Sequence, residues 1–150
     1  MLNVKYSIVL CCTLIMVSSK LAGQTEQPYL VSTKTKSFIG EVRTKMYHLT
    51  VKLSVKDNQA PKINQFQQWF VEIKDQSNNP VYPAKIVISG GMPAHGHGLP
   101  TQPQVTDYLG NGLYLIEGIK FNMTGNWMIQ LQILTPTIQD TATINFDVHY

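Results

Sequence analysis

Thiols are almost missing from this chain. Of 150 residues only Cys11 and Cys12 carry one, and both sit in the apolar stretch near the N-terminus. A chain that loses that stretch has no disulfide, no cysteine nucleophile and no thiolate metal ligand, so any soft ligand must be methionine. The apolar and charged fractions are unremarkable and place the chain among globular proteins. No basic patch and no basic-aromatic interleaving is present, which argues against nucleic acid as a partner. No stretch has the pattern of a long amphipathic helix, and no apolar run reaches the roughly 20 residues that span a membrane comfortably. A Ser-His-acid pattern is missing too, and Asp107 and Glu117 lie on strands leading away from the histidine-rich loop. An enzyme is therefore not expected.

The N-terminal stretch "MLNVKYSIVLCCTLIMVSSKLAG" has a positive start at Lys5, an apolar middle and small residues toward Gly23. That is the layout of a secretory signal peptide over residues 1–23, with a retained N-terminal anchor as the alternative. Leu10 and Cys11 stand where a lipoprotein signal wants a small residue. Removing residues 1–23 takes Lys5 and Lys20 and no acid, leaving ten basic against nine acidic residues, a net of +1. The basicity of the whole chain thus belongs mostly to its leader. The expected location is exported, in the periplasm or cell envelope, with no membrane contact beyond such an anchor.

Residues 24–44 are polar and irregular and read as a tether or a loosely attached first strand. From there on the pattern has period two. In "MYHLTVKLSV" Leu49, Val51, Leu53 and Val55 alternate with polar residues, and "WMIQLQILT" and "TATINFDVHY" repeat the pattern, as half-buried strands should. "QVTDYL" and "LYLIEGIKF" flank the turn "GNG" as a hairpin. Segments 46–55, 67–74, 82–89, 104–109, 113–121, 127–135 and 141–150 make about seven strands over residues 45–150. They predict an all-β domain, an antiparallel immunoglobulin-like β-sandwich.

If successive strands reverse, one end of that sandwich collects the loop of residues 56–66, the loop "SGGMPAHGHGLPTQP", the turn carrying Met123, and His149. His48 falls at the other end. In an extended segment residues i and i+2 face one side, so His95 and His97 can aim two imidazoles at one point. Gly96 frees the backbone between them, and Pro93 and Pro100 restrain the loop. Thioethers are soft ligands and imidazole suits copper and zinc, so His95, His97, Met92 and Met123, with His149 as a further member, point to copper, with Cu(I) favoured. Binding should weaken in acid, where protons compete for imidazole. Each residue also has a plainer reading: the histidines as an exposed pair or loop staple, Met92 as a plug under the loop, Met123 as core, and His149 as an exposed terminal side chain.

Over residues 89–133 the chain resembles the YtkA-like and FixH-like group of small exported β-sandwich proteins. The resemblance rests on a Met-Pro-x-His-x-His-Gly loop, met by Met92, Pro93, His95, His97 and Gly98. It rests also on a Phe-x-Met-x-Gly-x-Trp turn, met by Phe121, Met123, Gly125 and Trp127. It implies a bacterial envelope protein linked to copper handling or to assembly of metal-containing respiratory enzymes. The short apolar N-terminus departs from the FixH side. Two functions are therefore expected to compete: an exported copper-binding carrier, buffer or metallation partner of a respiratory enzyme or other envelope metalloprotein, and a metal-free interaction module of the envelope.

Overall fold

The computed structural model describes residues 37–150. The signal peptide assigned to residues 1–23, and the tether assignment up to residue 36, lie outside the described residues. Nine strands follow one another: β1 (Ser37–Arg43), β2 (Leu49–Val55), β3 (Gln67–Asp75), β4 (Lys85–Met92), β5 (His97–Gly98), β6 (Gln104–Tyr108), β7 (Leu113–Ile119), β8 (Gly125–Leu134) and β9 (Gln139–Val148). They form two antiparallel sheets, ordered β1-β2-β3-β7-β6 and β5-β4-β8-β9. The β-sandwich read from the sequence is thus the architecture, with two strands more than the seven expected.

The first addition is β1, formed from residues 37–43 of the segment read as a tether or a loosely attached first strand, and the second of those alternatives holds there. It pairs with β2 from Ser37↔Val55 to Arg43↔Thr50, with a bulge between Phe38 and Gly40. That bulge breaks the alternation that would have marked a strand. Ile39 and Val42 pack on the core. The second addition is the two-residue β5.

Alternation builds the core. Leu49, Val51, Leu53 and Val55 meet Trp69, Val71 and Ile73 on one sheet, and Trp127, Ile129, Leu131 and Ile133 meet Ala142, Ile144, Phe146 and Val148 on the other, all of them buried. Each large apolar side chain withdrawn in this way stabilises the fold by about 1.5–3 kcal/mol. Trp69, Phe121, Trp127 and Phe146 form one aromatic group, with ring centroids 5.0–5.8 Å apart along its contacts. Offset and tilted packing of this kind is favoured by the ring quadrupoles.

Strand directions define two ends. The upper end holds the turn of residues 44–48 and the start of β9, joined where Lys45 N–H donates to the Thr141 carbonyl at 2.7 Å. The lower end holds the loop of residues 56–66, the segment between β4 and β5, and the turn between β7 and β8. Asn64 N–H donates there to the Phe121 carbonyl at 2.7 Å.

Candidate functional site

The histidine pair sits on a tight hairpin at the lower end. Strand β4 continues through Gly90 and Gly91, past the residue 89 boundary read from the sequence, and pairs with β5 as Gly91↔Gly98 and Met92↔His97. The Leu99 N–H donates to the Gly90 carbonyl at 3.0 Å, holding the returning chain. Gly91 is the seat of this approach, since a Cβ there would lie 2.0 Å from the His97 carbonyl oxygen. Only glycine admits so close a backbone.

Between the two strands the chain is not extended, and here the sequence reading is corrected. Pro93–His95 form a single 3-10 turn, and Gly96 closes it in the left-handed region at φ 63°, its N–H donating to the Pro93 carbonyl at 3.2 Å. Proline's fixed φ suits the start of such a turn and glycine tolerates its left-handed close. The turn nevertheless brings the imidazoles together: the rings of His95 and His97 are 6.1 Å apart at their centroids and inclined by 26°. Both side chains are exposed. With metal-nitrogen bonds of roughly 2.0–2.1 Å, that separation is within the reach of one shared ion.

Met92 lies directly across the ladder from His97. Such partners project to the same face, with Cβ atoms about 4.5–5.5 Å apart. Met92 itself is only 2% exposed, and its methyl carbon stands 2.7 Å from where a Cβ on Gly125 would be. Met92 therefore spans from beneath the histidine hairpin to the turn that carries Met123, as part of the core. Met123 is half-buried and packs against that core, while its carbonyl accepts the Trp127 indole N–H at 3.1 Å.

His149 is at the same end but on a different face. It follows Val148, the partner of Gly125, and by alternation it lies with the exposed Asp147 on the outside of the sheet. The structure thus brings together His95, His97 and Met92, leaves Met123 half-buried in the turn just before the Gly125 that Met92 reaches, and sets His149 apart. His48 is at the upper end as expected, but it is paired: its Nδ1 is 3.3 Å from Oδ2 of the buried Asp140. Among the described residues, no three His, Cys, Asp or Glu side chains stand close enough to hold a metal ion.

The model of the YtkA-like family matches residues 44–132, more than half of the chain. The chain belongs to the YtkA-like family. The matched span of this YtkA-like protein runs from Thr44 at the upper turn, through the histidine hairpin and the Met123 turn, to Gln132 in β8. No curated protein and no solved structure matches the chain.

Proposed function

We propose that this YtkA-like protein is exported to the periplasm or cell envelope and binds copper there as a carrier, buffer or metallation partner. The observation that carries the reading is the pair of exposed imidazoles 6.1 Å apart on a backbone-seated hairpin, with methionine as the remaining nearby ligand type. Two nitrogens plus thioether sulfur favour Cu(I) over zinc, which prefers four nitrogen, oxygen or thiolate ligands. His95 and His97 are the primary ligands, and Met123 at the rim supplies sulfur. Met92, packed beneath the hairpin, reaches an ion only if the hairpin shifts. The ion is cargo, and its recipient in this reading is a respiratory enzyme or another envelope metalloprotein. Catalysis is not part of this reading.

Titration of the purified protein with Cu(I) against a competing chelator, beside Cu(II) and Zn(II), tests the reading. Stoichiometric Cu(I) binding that disappears in the His95→Ala/His97→Ala double variant is expected. Binding no tighter than the variant's would overturn it. The burial of Met92 favours a second reading, a metal-free interaction module in which the hairpin is purely structural. In that case the double variant would dock on its partner unchanged.

A further inference from the structure

Oxidisable aromatic side chains run from the lower end to the upper surface. Trp127 binds the Met123 carbonyl through its indole N–H and touches Phe121, ring centroids 5.0 Å apart, which in turn lies 5.8 Å from Trp69. Trp69 pairs with Ile116 on β7, so the inward-facing Tyr114, two residues along, is its diagonal neighbour at about 7–8 Å. Tyr114 and Tyr108 are paired across β6 and β7, with centroids 4.9 Å apart. Tyr108 stacks on Tyr82 at 4.2 Å and 21°. Tyr82 is 63% exposed, so the line opens to solvent there.

We propose that Trp127, Trp69, Tyr114, Tyr108 and Tyr82 form a hole-transfer path that carries oxidising equivalents from the His95/His97 end to the surface at Tyr82. Its protective role rests on the copper reading above, whereas the path itself does not. Cu(I) and hydrogen peroxide give Cu(II), hydroxide and a hydroxyl radical. That radical takes one electron from Trp127 and becomes a second hydroxide. Trp127 is restored by an electron from Trp69, and the deficit moves in turn to Tyr114, Tyr108 and Tyr82. Tyr82 releases its phenolic proton to water, leaving one surface tyrosyl radical per oxidant reduced.

Two features keep the hole moving. The Trp69 indole N–H is buried with no acceptor among the described residues, so an oxidised Trp69 keeps its proton and its oxidising strength. The Tyr114 hydroxyl donates to the Val81 carbonyl at 2.7 Å, and burial pushes its pKa up to about 12. On oxidation the phenol becomes strongly acidic and its proton shifts along this hydrogen bond to the Val81 carbonyl, returning when Tyr108 supplies an electron, so Tyr114 is a way station. Tyr114 is buried, Tyr108 half-buried and Tyr82 63% exposed, so contact with water increases along the line toward Tyr82.

The path is tested on the full-length, metal-free protein by irradiating at the red edge of tryptophan absorption in air. Excited tryptophan ejects an electron, dioxygen takes it to give superoxide, and two surface tyrosyl radicals couple as dityrosine. Dimers cross-linked through Tyr82, identified by peptide mapping, are expected. They should be lost in Tyr82→Phe and fall to a minor fraction in both Tyr108→Phe and Tyr114→Phe, with tryptophan emission confirming that the variants are folded. Cross-links through Tyr47, Tyr150 or any other tyrosine instead, or an undiminished yield in both interior variants, would overturn the path. A Cu(I) titration of the same proteins reads the metal site separately: failure to bind copper removes the protective role and leaves the photochemical result standing.

Discussion

The hydroxyl of Thr44 donates to Oδ2 of Asp140 at 2.6 Å, tying the turn after β1 to the first residues of β9. Backbone N–H groups of Met46 and Thr141 donate to Oδ1 at 2.9 and 2.8 Å, and that of His48 to Oδ2 at 3.4 Å. Burial pushes the carboxyl up, and these hydrogen bonds outweigh it, so it sits below its ordinary value of 3.8. A depressed folded pKa contributes stability that is fully present above the unfolded value, about 4, and is lost as pH falls through the folded value. Thermal melts across that window should show the loss in the wild type and a flatter profile in Asp140→Asn. Asp140→Ala leaves buried donors unmet and should cost about 2–4 kcal/mol at neutral pH.

Gly91 sets the histidine hairpin by backbone contact alone. Gly91→Ala would drive a methyl group into the His97 carbonyl, so β5 must lift from β4 while the rest of the sandwich stays. The melting temperature should fall modestly, by the equivalent of about 1–3 kcal/mol. Cu(I) affinity should fall far more than it does for an alanine placed at the open Gly96. Equal effects at the two glycines would count against a seated hairpin.

The two methionines should separate. Met123→Leu keeps volume and removes sulfur, so Cu(I) affinity should drop by more than about a hundredfold, beyond the roughly 10–100-fold usual for an outer partner, with Zn(II) binding unaltered. Met92→Leu should change stability by less than about 1.5 kcal/mol and leave Cu(I) affinity close to wild type. Met92→Ala, which opens a cavity in the core, should cost about 2–5 kcal/mol. Chelator competition and melts on the three variants check all of this together.

His149→Ala should leave Cu(I) affinity unchanged, because alternation puts residue 149 outside the sheet that Met92 faces inward from. A loss comparable to that of His97→Ala, in the same competition assay, would return His149 to the site.

The sandwich was legible because its inner faces alternate strictly. Trp127, Ile129, Leu131 and Ile133 in β8 and Ala142 to Val148 in β9 each follow period two, and each odd or even set is buried. Strand β1 was legible only as one of two alternatives, because its bulge interrupts the alternation. The end of β4 was hidden by Gly90 and Gly91, which read as loop until the close return of β5 explains them. Asp140 was legible but passed over: it shares the parity of Ala142 and Ile144, and a charged residue on a buried face is itself a signal. That His95, His97 and Met92 share one loop was plain from their spacing, and counting reversals placed the Met123 turn at the same end. The turn geometry that joins the two rings was not legible, because spacing alone cannot tell a 3-10 turn from an extended segment.

The seating of β5 on Gly91 makes the two histidines payload rather than foundation. Main chain rests on main chain, so the side chains of the Pro93–His95 turn can be exchanged without moving the platform that displays them. The exposed Ala94 is the open position in that turn. A third imidazole or a carboxylate placed there would supply the nitrogen or oxygen ligand that the described residues lack. In the copper reading proposed above, metal preference would thus be an editable property, set by the contents of a turn that the fold holds in place from beneath.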